Sequence, residues 1–161
     1  IFSFLIVQSQ DSDWSTFFEK SGGTETPRYT QTVEFCKRLS KASPMIHYTA
    51  FGKSGIGRDL PLVIADRDGL DDPAAIRTKG RIILLVQACI HPGECEGKDA
   101  GLMLLRDLFI LKKYPGLLDH VSILFIPVFN LLLDFRISFA IAKANCFSFC
   151  EPLITEYIFK E

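Results

Sequence analysis

Charge in excess is the first thing this sequence lacks. Its 18 Lys and Arg face 19 Asp and Glu, a formal net charge of −1, so no electropositive field points to nucleic acid or to an anionic membrane surface. Paired cysteines are missing too. Cys36, Cys89, Cys95, Cys146 and Cys150 form an odd set with no C-x-x-C spacing, which argues against both a disulfide framework and a thiolate zinc site. The one close pair, Cys146 and Cys150, reads as two small apolar residues. Long apolar runs are also absent: the stretch from Val121 to Leu133 falls well short of the roughly 18 residues of a spanning helix, so no membrane span is expected. No G-x-S-x-G elbow occurs. Gly52-Lys53-Ser54 has His47 where a phosphate loop needs its earlier glycine, and G-x-G-x-x-G is not satisfied either.

What remains is a chain built to fold. At 161 residues and 48% hydrophobic, with a mean hydropathy of +0.21, it suits one domain with its own core and is not of disordered composition. The chain begins with Ile1, and Ile1–Val7 followed by Gln8-Ser9-Gln10 reads as the tail of a signal-peptide core, residues 1–10, with an edge strand as the alternative. Export to a secreted or periplasmic location is the corresponding expectation. Residues 11–26 form a polar lead-in in which Trp14, Phe17 and Phe18 suggest a short anchoring helix.

Thr30 to Ser43 carries Val33, Cys36, Leu39 and Ala42 at helical spacing, with cations towards its end, and Pro44 stops it. Met45–Phe51 and Leu60–Ala65 read as strands of a hairpin, with Gly55 and Gly57 supplying positive backbone angles in its loop. Asp66–Gly80 is a polar excursion with one helical turn around Pro73–Arg77. Arg81–Ile90 is a continuous apolar run, the pattern of a central strand covered on both faces. From about Glu94 to Lys113 the residues Ala100, Leu104, Leu105, Leu108 and Leu111 predict a helix ended by Pro115-Gly116, and Val121–Phe129 a further strand. Gly97 and Gly101, four apart, let that helix approach the sheet closely. The expected class is α/β: a mixed, twisted sheet flanked by helices, a hairpin and then a βαβ unit with parallel strands.

The site candidate is His91-Pro92-Gly93-Glu94. An imidazole on the loop leaving a strand and a carboxylate on the first helical turn can converge in front of the sheet edge where α/β folds place ligands, and both are zinc donors. The simpler alternative has His91 bonding a backbone group and Glu94 complementing the helix dipole, as Glu96 and Asp99 are read to do. His47 and His120 have no acidic or cysteine neighbour at ligand spacing. A nucleophilic Cys89 or Cys95 would need a histidine base that the spacing does not locate.

Thr26-Pro27-Arg28-Tyr29, Phe51-Gly52-Lys53-Ser54 with Gly57-Arg58-Asp59-Leu60, and an apolar strand entering Cys89-Ile90-His91-Pro92-Gly93-Glu94 follow one another in an order that resembles the amino-terminal part of the zinc carboxypeptidases of the carboxypeptidase A superfamily. The resemblance covers about residues 27–130. It implies zinc held by His91 and Glu94, and hydrolysis of carboxy-terminal peptide bonds of peptides or proteins. It also implies a third ligand, a histidine, and a general-base glutamate further along. Asn130 matches the asparagine that ends a strand in this family, but Leu131-Leu132-Leu133 departs from the family pattern, so residues 131–161 form a divergent tail in which no role passes to Arg136, Glu156 or Tyr157. The expectation is therefore a truncated metallocarboxypeptidase-like chain with half a zinc site and little or no activity of its own. The alternatives are a non-catalytic peptide-binding module and an anion-binding α/β domain that uses the helix start at Gly93.

Overall fold

The structure, a computed structural model, describes residues 13–91 and 93–130. The proposed signal remnant, the divergent tail and the Cys146–Cys150 pair lie outside the described residues. Among the described residues eight elements follow in order: α1 (Phe17–Lys20), α2 (Tyr29–Ala42), β1 (Ile46–Lys53), β2 (Asp59–Ala65), α3 (Pro73–Thr78), β3 (Ile82–Gln87), α4 (Glu96–Phe109) and β4 (Val121–Ile126). The strands form one mixed sheet in the order β1-β2-β4-β3. β1 with β2 and β2 with β4 are antiparallel, while β3 and β4 run parallel, with α4 as their crossover. This is the α/β hairpin and βαβ arrangement that the alternation of patterns predicts.

The lead-in folds back onto α2. Thr16 caps α1, accepting from Glu19 N while Glu19 Oε2 accepts from Thr16 N at 2.7 Å, a reciprocal capping box. Arg106 of α4 pairs with the same Glu19 carboxylate. Trp14 lies edge-on to Phe35 and under the Arg38 guanidinium. Thr16→Ala should therefore lower stability by about 1 kcal/mol, measured by urea unfolding, and Thr16→Ser should recover most of the loss.

β2 shows why this sheet needs helices on both sides. Val63 and Ala65 point into a core with Cys36, Leu39, Leu102, Leu105 and Phe125, whereas Leu62 and Ile64 pack with Ile76, Leu124 and Ile126 on the opposite face. The period of two along a strand thus serves two apolar layers at once. α4 lies close to the sheet because Gly101 has no side chain: a Cβ there would meet Phe125 Cζ at 2.3 Å.

Several boundaries differ from expectation, each for a local reason. β3 is not central among the described strands but lies at the sheet edge, and Ile82 and Leu84 are 67% and 48% exposed. An apolar run records side-chain chemistry, not which neighbour takes each edge. The strand also ends at Gln87, since Cys89 turns the chain with φ 51. Arg81, read as the start of the strand, instead turns to Asp66 and Asp68. α4 begins at Glu96 and ends at Phe109. The chain leaves it through Lys112 in the left-handed region, with Lys113 N donating to Asp107 O, so Pro115-Gly116 lies beyond the helix end. In the hairpin loop only Gly57 has positive φ; Gly55 does not, because Gly57 N donating to Ser54 O closes the turn with the positive angle at its last residue. β4 ends at Ile126, although Phe129 and Asn130 continue bonding to the chain leaving β3.

Candidate metal centre

The candidate centre grows from the carboxyl end of the parallel pair. Ala88 N donates to Ile126 O at 2.9 Å, and Phe129 N and Asn130 N donate back to Ala88 O and Cys89 O at 3.0 and 3.1 Å. The chain leaving β4 thereby fixes the base of the loop that starts at Cys89. Gly93, at φ 95, turns that loop in a conformation that favours glycine, and Glu94 N donates to His91 O at 3.2 Å. The turn brings the two side chains together: His91 Nδ1 stands 2.8 Å from Glu94 Oε2. That separation is a hydrogen-bonding distance, in which the role of the imidazole nitrogen follows its tautomer.

Glu94 is not on the first helical turn, as its spacing suggests, but in the loop before α4. The pair converges because of the Gly93 turn, not because of helical geometry. Both side chains are open to solvent, 60% and 66% exposed.

The helix start behind the loop is held from three sides. Gly97 sits against Ala88, where an added Cβ would already be 3.4 Å from the Ala88 Cβ. Buried Lys98 donates from Nζ to Pro27 O at 2.5 Å. Asp99 is buried, bonds to Thr26 and keeps one carboxylate oxygen without a partner. Burial raises the Asp99 carboxyl above its ordinary value, against the opposing bond from Thr26. The dipole explanation of Asp99 therefore misses most of its environment. Glu96, exposed in the first turn, does fit it.

Cys89 is buried and Cys95, the residue before the helix, packs against the cluster that contains Cys89, Leu60 and Val128. Burial pushes the Cys89 thiol up to about 12, and the neighbouring Cys95 acts in the same direction. His47 has its partners elsewhere, with Nε2 2.8 Å from Gly69 O and Nδ1 3.8 Å from Asp71 Oδ2.

The donors fit zinc in kind. A zinc ion with Zn–N and Zn–O bonds of about 2.0–2.2 Å in a tetrahedral arrangement holds two such atoms about 3.3 Å apart, and the 2.8 Å separation needs only a small opening on an exposed loop. Among the described residues no three His, Cys, Asp or Glu side chains converge on one metal position.

A sequence model of the zinc carboxypeptidase family matches residues 32–131, well over half the chain. The chain belongs to the zinc carboxypeptidase family. Members of this metallocarboxypeptidase family are zinc-dependent hydrolases, and solved structures show the same fold. Carboxypeptidase A from Helicoverpa armigera superposes with a TM-score of 0.53 at 18% identity over 65% of this chain and 24% of its own. A metallo-carboxypeptidase from Burkholderia cenocepacia gives 0.50 at 17% over 63% of this chain and 26% of its own. The chain thus spans about a quarter of the length of these carboxypeptidases. No curated protein matches it. No helix among the described residues is long and apolar enough to cross a membrane.

Proposed function

We propose that His91 and Glu94 are two of the zinc ligands of a carboxypeptidase centre, and that the reaction this centre serves is hydrolysis of the carboxy-terminal bond of a peptide or protein. The observation that carries the proposal is the 2.8 Å approach of His91 Nδ1 to Glu94 Oε2 at the carboxyl end of β3. When bound, zinc would polarise the scissile carbonyl and lower the pKa of its water. The chain's own residues present the donors: Gly93 sets the turn, and the Phe129 and Asn130 amides hold the loop base. The exposure of both donors leaves room for further ligands and substrate, which a catalytic site requires.

Among the described residues no third His, Cys, Asp or Glu side chain joins His91 and Glu94 at one metal position. A site with these two protein ligands alone is expected to bind zinc more weakly than a three-ligand site. Zinc titration against a chromophoric chelator should give one ion per chain. His91→Ala should weaken binding by at least the roughly 10–100-fold that loss of an outer-shell partner costs in metal sites. An unchanged affinity, with far-ultraviolet circular dichroism showing an intact fold, would remove His91 from the centre.

A further inference from the structure

We propose that Cys89 and Cys95 are a redox pair that closes to an intramolecular disulfide across the base of the His91–Glu94 loop. The two residues flank the loop in sequence and their thiols are within hydrogen-bonding reach of each other, with Cys95 packed against the small cluster of Cys89, Leu60 and Val128. Both are free thiols. They are presented differently: Cys89 is buried at the point where β3 turns away, with φ 51, while Cys95 precedes α4 and is partly exposed. That asymmetry makes Cys95 the accessible attacking thiol and Cys89 the buried resolving one, and because burial holds the Cys89 thiol above its ordinary value the second step is the slower.

The oxidant is a low-molecular-weight disulfide such as oxidised glutathione. Cys95 Sγ bonds to one glutathione sulfur, the glutathione S–S bond breaks, and the other half leaves as a thiol with the Cys95 proton. Cys89 Sγ then attacks Cys95 Sγ and expels the second glutathione, which takes the Cys89 proton. Two protein thiols lose two electrons and two protons, and one glutathione disulfide becomes two thiols. The bond would tie the residue before α4 to the end of β3 and remove freedom from the loop between them. Its effect on zinc rests on the metal reading above: a loop already held loses less freedom on binding, so affinity should rise about threefold to tenfold on oxidation.

The test treats the folded 161-residue chain with oxidised glutathione, alkylates the remaining thiols and digests with trypsin. Cleavage after Arg81 and Lys98 places both cysteines in one peptide. The wild-type peptide should be lighter than its dithiol form by two hydrogen atoms and carry no glutathione. Cys89→Gly, which suits the positive φ and should fold, should retain glutathione on Cys95. Alkylation of both thiols in the treated wild type, or a persistent glutathione adduct there, would overturn the pair. Zinc affinity measured on both redox forms separates the two ideas. A formed disulfide with unchanged affinity overturns the regulatory effect, as does a formed disulfide with no zinc bound in either form; the second result also removes the metal reading.

Discussion

Asp66→Ala should destabilise the fold by roughly 3–5 kcal/mol, the usual cost of removing one partner from a buried ion pair. Asp66 is fully buried just after β2. Its carboxylate accepts from Arg81 Nη1 at 2.9 and 2.8 Å, from Ser122 Oγ at 2.5 Å, and from the backbone amides of Asp68 and Leu70 at 2.8 and 3.3 Å. One side chain therefore ties the end of β2 to the beginnings of β3 and β4, at the opposite end of these strands from the metal candidate. Its loss strands a buried guanidinium and a buried hydroxyl, although Asp68 still pairs with Arg81 at 2.6 Å. Since small domains are stable by only about 5–15 kcal/mol, the effect is large. Urea unfolding of the variant would measure it, and a loss under about 1 kcal/mol would show that Asp68 alone suffices for Arg81.

The same group sets a pH dependence. Burial by itself would raise the Asp66 carboxyl, but the bonds from Ser122, the two amides and Arg81 outweigh it and hold the group below its ordinary value. A carboxyl depressed in the folded state contributes stability that is fully present above its unfolded pKa, about 3.9, and disappears as pH falls through its folded value. Unfolding midpoints should therefore fall below about pH 4, and Asp66→Asn should flatten that acid limb. Asp99, whose carboxyl is raised, acts in the opposite direction and favours the fold at lower pH.

Gly101→Ala should also destabilise, by a net 1–3 kcal/mol or so, although alanine is the better helix former by about 1 kcal/mol. The added Cβ would lie 2.3 and 2.5 Å from Phe125 Cζ and Cε2. Phe125 is only 1% exposed, so its ring has no free space to swing into. Either the ring leaves its preferred geometry or α4 lifts from the sheet, and lifting would also disturb the helix start behind His91 and Glu94. Phe125→Leu combined with Gly101→Ala should lose less than the sum of the two single changes, because the shorter side chain vacates the contested space. Additive losses would mean that the contact is relieved elsewhere.

Local pattern made much of this legible. The α2 spacing of Cys36 and Leu39, the glycine-bearing hairpin and the four-residue interval of Gly97 and Gly101 each bear on neighbours a few residues away, which is the range over which sequence periodicity carries information. The family was legible for a related reason, because its motifs are contiguous and occur in a fixed order. Spacing alone allows Glu94 on the helix, whereas the positive φ of Gly93 delays helix entry to Glu96. Nothing in the spacing of Asp66, Arg81 and Ser122, the last 56 residues from the first, identifies them as one cluster.

The sequence by itself determined the α/β class, the position of each principal element and the His91-x-x-Glu94 pair, because backbone periodicity and short motifs are local properties. Only the tertiary structure decided that β4 inserts between β2 and β3, that β3 is at the edge of the described sheet, that a buried carboxylate joins three strands, and that Cys89 and Cys95 meet beneath the loop. These depend on which apolar surfaces and which buried polar groups find partners across the sheet, and residues distant in sequence reveal that choice only once they are packed together.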